Sequence, residues 1–339
     1  MIRTGIVGLG FMGQQHFAIH QAMDSIQLVG IADKEEKRRQ GEAVGGNIGE
    51  AKALDFSGLA VYSSLDELLV HDGLECVDIC TPTFLHADMT VKALEAGKHV
   101  ICEKPMALTA ADCQRMIDAS QANGKLLFIA QCIRFWPAYE KLADMIKSGE
   151  LGKVVSAKFT RLSPTPTWSQ DNWLMDTSLS GGALTDLHVH DVDFIISLFG
   201  KPCCVSSQAA NRVTSADKVD NVISQYFYGD KDMVCFAEGG WGYPSTWPFE
   251  MAFQVLGENG CLEFSTSKTP SLTWYPKSGD AVNPEVSDET GYQREFAYFV
   301  ECLEQGKQPE RVMPQSAMES VAVVNAERES VAKREKVML

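Results

Sequence analysis

Thr4-Gly5-Ile6-Val7-Gly8-Leu9-Gly10-Phe11-Met12-Gly13 is the stretch that decides the fold. Thr4 to Gly8 is a short apolar run that reads as a strand, and a helix is expected from about Phe11 to Met23. Each glycine between them has a mechanical role. Gly8 makes the tight turn, Gly10 lets the backbone approach a pyrophosphate, and Gly13 lets the helix pack closely on the strand. G-x-G-x-x-G alone is a weak signal, because glycine-rich turns are common. Here the strand–turn–helix context is present, and Asp33 closes the next apolar run (Leu28 to Asp33) 20 residues after Gly13. A carboxylate at that point can accept both ribose hydroxyls of NAD, and its charge repels the 2′-phosphate of NADP. Lys34, Lys37, Arg38 and Arg39 follow at once. They read as a solvated helix face rather than a phosphate clamp, yet they leave NADP open.

Working outward, strand and helix continue to alternate. Cys76 to Thr81 and His99 to Cys102 are strands, and between them Ala87, Val91 and Leu94 mark one face of a helix that ends at Gly97. A capping box, Thr109 with Asp112, opens another helix that stops near Gly124, before the strand Leu126 to Ala130. Apolar strands separated by amphipathic helices imply a doubly wound parallel sheet covered on both faces. After Gly152 the grammar changes. A long alternating strand, Val154 to Leu162, precedes one strong helix from about Gly182 to Phe199, and then a run of strands with hairpin signals at Gly229-Asp230 and Asn259-Gly260. Helical segments near Glu295 to Glu304 and Gln315 to Lys333 close the chain. The expected organisation is an α/β Rossmann domain over residues 1–130, then an α+β domain over 131–339 with a mostly antiparallel open sheet.

Bulk properties bound the function. At 339 residues the chain has room for two cores, and 45% hydrophobic with 22% charged residues is ordinary globular composition. A formal net charge of −15 argues against nucleic acid or an anionic membrane surface as partner. It does not exclude an anionic cofactor, because backbone N–H groups bind phosphate without a basic surface. No apolar run approaches a membrane span, and the first residues do not form a signal peptide. The ten cysteines form no C-x-x-C pair and no zinc-like spacing with histidine, so they read as reduced thiols of a cytoplasmic protein and no metal is expected.

Two constellations outside the glycine turn carry chemistry. Glu103-Lys104-Pro105 directly follows a parallel strand, on the edge where such sheets bind ligands, and proline fixes the local backbone. A plain surface lysine is the alternative at Lys104. The other is Asp186-Leu-His-Val-His190-Asp-Val-Asp193 after Gly181-Gly182. On a regular helix Asp186, His190, Asp193 and Ser197 share one polar face. A carboxylate one turn from a histidine fixes its tautomer and suits it to act as a general base. His188 falls about 200° around the helix from His190; it is expected to be structural, paired with Asp191.

Together these residues are similar to the glucose–fructose oxidoreductase / inositol dehydrogenase (Gfo/Idh/MocA) family. The matching stretches are the GLGFMG turn, Thr81-Pro82 with His86, Glu103-Lys104-Pro105, and Arg134-Phe135 with Pro137. The Gly-Gly-x-x-x-Asp-x-x-x-His-Asp-x-Asp run and the GENG hairpin before Cys261-Leu262-Glu263 complete them. The resemblance implies catalytic Lys104, Asp186 and His190, with Glu103 touching the nicotinamide ribose and Thr81, Pro82 and His86 lining the cofactor beside Gly8, Gly10, Phe11, Met12, Gly13 and Asp33. It also implies a homodimer or homotetramer formed through the C-terminal sheet. The substrate expected is a sugar, cyclitol or related polyol.

In that reading His190 takes the hydroxyl proton, Lys104 stabilises the oxygen and Asp186 orients His190. Trp168 and Trp173, in a loop with prolines and serines, suit stacking on a sugar ring, as loop anchors would also require, and Arg134 and Trp136 could border the nicotinamide. Trp241 and Trp247 read as sheet-packing residues. Three other functions fit less of the pattern: a glycosidase or lyase that retains its NAD, a dehydrogenase for an amino acid or dihydrodiol, and a non-catalytic NAD(P)-binding regulator.

Overall fold

A computed structural model describes residues 1–46, 53–211 and 219–339. Six parallel strands form the first sheet: β1 (Ile2–Val7), β2 (Ile26–Ala32), β3 (Ala60–Tyr62), β4 (Cys76–Ile79), β5 (His99–Glu103) and β6 (Leu127–Ala130). Their order, β3-β2-β1-β4-β5-β6, reverses direction between β1 and β4. The crevice at the carboxyl ends of those two strands is where open α/β sheets bind ligands. β4 and β6 are buried along their whole length, as strands covered by helices on both faces must be. Thr109 caps the helix Ala110–Asn123 as expected, its Oγ1 accepting the Asp112 N–H at 3.1 Å. Gly124 ends that helix in the left-handed region.

Eight further strands form the second sheet: β7 (Val154–Pro164), β8 (Cys204–Ala210), β9 (Asn221–Phe227), β10 (Val234–Tyr243), β11 (Glu250–Gly257), β12 (Gly260–Ser265), β13 (Leu272–Pro276) and β14 (Val337–Met338), in the order β13-β12-β11-β7-β10-β9-β8-β14. The sheet is antiparallel except where β7 runs parallel to β10. One side packs on its own helices through Tyr139, Phe159, Phe194 and Phe253 in edge-on contact. Trp241 is buried within β10 as expected, whereas Trp247 sits beyond the strand, partly exposed and stacked on Tyr243.

The chain divides into two compact units. The first is residues 1–132 with 167–173 and 292–318; the second is 133–166, 174–291 and 319–339. In the first unit, Phe296 and Phe299 of the helix Gly291–Gln305 return to the Rossmann sheet, Phe299 lying 4.8 Å from Phe128. All ten cysteines are free, and Cys203 is exposed. Among the described residues no helix is long and apolar enough to cross a membrane.

Candidate functional site

The glycine turn has the geometry its sequence implies. Gly8 takes φ +91°, and a Cβ there would stand 2.7 Å from the Cys80 carbonyl oxygen at the end of β4. A Cβ on Gly13 would meet the Gly8 carbonyl oxygen at 1.9 Å, so the helix Phe11–Ala22 approaches β1 as closely as a glycine permits. At Gly10 the corresponding space is open, which leaves room for a ligand against the backbone. Asp33 closes the turn: Oδ2 accepts the Leu9 N–H at 2.6 Å and Oδ1 accepts the Glu35 N–H at 2.8 Å. Each oxygen keeps a further lone pair for a ribose hydroxyl. Arg39 donates to the carbonyls of Asp33 and Lys34, Lys34 lies near Glu35, and Arg38 pairs with Glu42. Three of the four basic residues are thus engaged locally, as a solvated face requires.

The neighbouring strands bring the other first-unit residues to the same sheet edge. Thr81 and Pro82 follow β4 and are half-buried; Phe11 and Met12 are half-buried beside the turn. His86 is buried, with Nδ1 and Nε2 each 2.8 Å from a carbonyl oxygen, those of Pro105 and Thr81; a neutral ring donates to one of the two. It therefore braces the Thr81 loop against Pro105. Burial pushes its ring below the ordinary imidazole range, and the two acceptors oppose that. Lys104–Pro105 is a cis peptide, Lys104 is half-buried, and the Lys104 N–H donates to Glu103 Oε2 at 2.9 Å.

Beneath Glu103 lies a polar network that no sequence motif singled out. His16 Nε2 is 3.0 Å from Glu103 Oε1, and His16 Nδ1 is 3.0 Å from Asp78 Oδ2. His20 Nε2 shares that oxygen at 3.1 Å, and its Nδ1 meets Thr4 Oγ1 at 2.9 Å. The available signal was Asp78 itself, a charge inside an apolar parallel strand, which must find partners. His16 and His20, one turn apart on the first helix, supply them.

Burial opposes charge on His16, but Cys80 and Asp78 beside it outweigh that and hold the ring well above the ordinary value. Burial keeps the Cys80 thiol protonated, so the charge responsible is that of Asp78. His16, Asp78 and Cys80 place three potential metal-ligand atoms within 4.8 Å of one another. Both ring nitrogens face carboxylates, and the raised pKa favours the protonated ring, which has no lone pair to offer a metal.

Glu295, on the helix Gly291–Gln305, is fully buried, and among the described residues neither carboxylate oxygen has a hydrogen-bond partner. Burial, and then the charge of Glu103, push its carboxyl well above the ordinary range. The folded state therefore holds a proton that the unfolded chain releases above about pH 4.3. Stability at this position falls as pH rises from there toward the folded value, by up to about 1.4 kcal/mol per pH unit. Glu295→Gln is expected to flatten the fall in stability as pH rises above about 4.3. Urea denaturation across that range checks it; an unchanged slope would show that Glu295 is ionised in the fold.

In the second unit, Asp186 and His190 do not share one regular helix. Leu184–His188 forms a π-helical turn, and the α-helix begins at Val189 and runs to Phe199. Spacing by 3.6 residues per turn therefore fails across this segment, and with it the single polar face. Asp186 and His190 are half-buried, Ser197 is exposed, and Asp193 is fully buried. Gly181 and Gly182, at φ +75° and +71°, enter the turn; a Cβ on Gly181 would strike the Thr185 side chain at 2.4 Å. Arg328 fastens this entry, donating to the Gly181 carbonyl and Thr185 Oγ1.

His188 does not pair with Asp191. Its Nε2 lies 3.2 Å from the Tyr226 hydroxyl and 3.4 Å from Glu327 Oε1, because the π turn directs it into the core. Asp191 instead binds Arg161 of β7 through two hydrogen bonds, at 2.8 and 3.1 Å. Arg134, expected to border the nicotinamide, is buried with its Nε and Nη2 donating to the Asp193 carboxylate, each at 2.7 Å, while Ser320 donates to the same group at 2.8 Å. Trp136 is half-buried in the second unit. Trp168 and Trp173 are half-buried in the first, flanking Asp171 and Asn172, whose φ values of 51° and 55° are left-handed.

Comparison with known proteins matches this organisation. Residues 2–131 match the oxidoreductase family with an NAD-binding Rossmann fold, and residues 139–263 match the GFO/IDH/MocA C-terminal domain. The chain is 33% identical over 321 residues to an inositol 2-dehydrogenase of Salmonella paratyphi B, covering 91% of this chain and 88% of that protein. It is 27% identical to the 2,7-anhydro-N-acetylneuraminate hydratase of Escherichia coli, over 79% of this chain and 69% of that one. Against two other curated relatives the chain spans about half their length, 54% and 51%. A levoglucosan dehydrogenase solved with NADH and levoglucosan shares the fold, with a TM-score of 0.83 at 22% identity over 99% of both chains. The glycine turn closed by Asp33, the two sheets and the near full-length likeness to the inositol dehydrogenase lead to one conclusion: the chain belongs to the Gfo/Idh/MocA family, and its residues 2–131 are an NAD-binding Rossmann domain.

Proposed function

We propose that the protein is an NAD-dependent dehydrogenase acting on a hydroxyl-bearing carbon of a sugar, cyclitol or related polyol. The observation that carries this reading is the glycine turn closed on Asp33, with Glu103 and Lys104 delivered to the same sheet edge by β5. Bound NAD supplies the hydride acceptor. Gly8, Gly10, Phe11, Met12 and Gly13 receive its phosphates, Asp33 its adenine-side ribose, and Thr81, Pro82 and Glu103 its nicotinamide side. His190 accepts the substrate hydroxyl proton, Asp186 orients His190, and Lys104 donates a hydrogen bond to the oxygen as negative charge develops on it. Residues 1–130 serve as the nucleotide-binding domain and 131–339 as the domain for substrate and assembly, with Trp136, Trp168 and Trp173 offering aromatic faces to a sugar ring.

The engagement of Arg39, Arg38 and Lys34 within their own segment supports NAD over NADP. Asp33→Ser is expected to cut the NAD-over-NADP ratio of kcat/KM by about tenfold or more, since it removes both the ribose acceptor and the repelling charge. An unaltered ratio would place cofactor choice elsewhere.

A second copy of the chain is proposed as partner, seated on the open side of the eight-stranded sheet. Strand register puts Ile223, Val234, Leu256 and Tyr275 on that one side, each at least 43% exposed. The mass of the particle in solution tests this. A reducing, cytoplasmic setting fits the free thiols.

The deciding experiment is NADH formation from NAD with a panel of cyclitols, aldoses and amino-sugar derivatives, using Lys104→Ala as control. Turnover with one class, lost in the variant, is the expected result. The hydratase among the relatives favours one second reading, an eliminating or hydrating enzyme that keeps its NAD. Conversion of substrate with no net NADH would select it.

A further inference from the structure

We propose that His16 is a positioning residue for the cofactor: held by Asp78 through one ring nitrogen, it fixes the Glu103 carboxylate with the other, in the orientation that receives the nicotinamide-side ribose. The proposal rests on the NAD reading above and deepens it. Four links carry it, three of them buried and the last part-buried. His20 Nε2 and His16 Nδ1 converge on Asp78 Oδ2 at 3.1 and 3.0 Å; His16 Nε2 lies 3.0 Å from Glu103 Oε1; and Glu103 Oε2 accepts the Lys104 N–H at 2.9 Å. Phe296 packs edge-on against both imidazoles, with centroids 4.9 and 5.1 Å away, so neither ring can swing out without opening the core.

The chemistry explains why a cation is needed there. Glu103 is 5% exposed, and a carboxylate taken out of water needs a charged partner or it takes up a proton. Glu295 is a second carboxyl in the neighbourhood and adds no positive charge. His16 alone bridges Asp78 and Glu103 among the described residues, and each nitrogen of an imidazolium can serve one of them. Glu103 thus stands with Oε1 turned to His16 and Oε2 to the Lys104 N–H. The His16 contact is a charge contact at 3.0 Å without hydrogen-bond alignment, and the Lys104 N–H supplies the directional bond; the NAD reading assigns the ribose hydroxyl to the lone pairs left over. A rotated Glu103 would lose that acceptor.

The test compares NAD with ADP, which lacks the nicotinamide ribose, by calorimetric titration of the full chain. In His16→Asn the side-chain amide stands near the Nδ1 position and keeps the Asp78 contact, but nothing reaches Glu103. NAD affinity is expected to fall about tenfold while ADP binds as to the wild type. Glu103→Gln should show the same selective loss, and the double variant should lose little more than either single one, because both changes act through one carboxylate. His16→Gln, whose longer amide reaches the Nε2 position, should recover part of the NAD affinity. Should His16→Asn fail to fold, the comparison of His16→Gln with Glu103→Gln decides, with the first expected to be milder and both selective for NAD. Equal weakening of NAD and ADP, or additive losses in the double variant, would overturn the proposal. A wild-type chain that binds ADP but not NAD would instead overturn the NAD reading on which it stands.

Discussion

His190→Ala is expected to lower kcat by roughly 10²–10⁴-fold, the usual worth of a positioned general base, while the Kd for NAD stays at the wild-type value. The split follows from placement. His190 opens the α-helix Val189–Phe199 in the second unit, whereas the glycine turn, Asp33 and Glu103 belong to the first. Lys104→Met should lower kcat by roughly 10²–10³-fold if, as proposed, Lys104 donates to the developing oxyanion. If Lys104 and His190 serve the same proton transfer, the double variant will lose far less than the product of the two. Steady-state kinetics together with NAD titration measure all of this. His190→Ala with near-normal kcat would remove the histidine from the mechanism.

Asp191→Ala is expected to destabilise the protein by about 3–5 kcal/mol, the largest stability effect anticipated in the chain. Arg161 is 1% exposed and Asp191 is fully buried, so truncating the aspartate takes the carboxylate counter-charge from a buried guanidinium. Exchanging both partners for apolar residues of similar volume, as in Arg161→Met with Asp191→Leu, should cost far less, because no charge is then left unpaired. Denaturant unfolding of the single and double variants measures the difference. If the single variant costs under about 1 kcal/mol, water must reach Arg161.

Much of this architecture was legible because local physics set it. The glycine turn, the apolar parallel strands and the Thr109 cap are decided by residues within one turn or one strand of each other. What escaped is non-local or has no hydropathic signature. A π turn leaves the apolar pattern of Leu184–His188 unchanged while altering which residues face one another, so the polar face drawn through Asp186, His190 and Asp193 dissolved. The partners of His188, Asp191 and Asp193 lie on Tyr226, Glu327, Arg161, Arg134 and Ser320, and no spacing rule connects residues 30 to 139 positions apart. The His16 network failed to show for the same reason, since 62 residues separate His16 from Asp78.

The return of residues 292–318 to the first unit has a bearing on biosynthesis. All six Rossmann strands leave the ribosome by residue 130, yet Phe296, which covers His16 and His20, follows only after most of the second unit has been made. From residue 132 to Phe296 is 164 residues, about 8–33 s at ordinary elongation rates. During that interval the nascent nucleotide-binding unit presents an uncovered patch of histidine and Phe128, a surface on which a holding chaperone would have time to act.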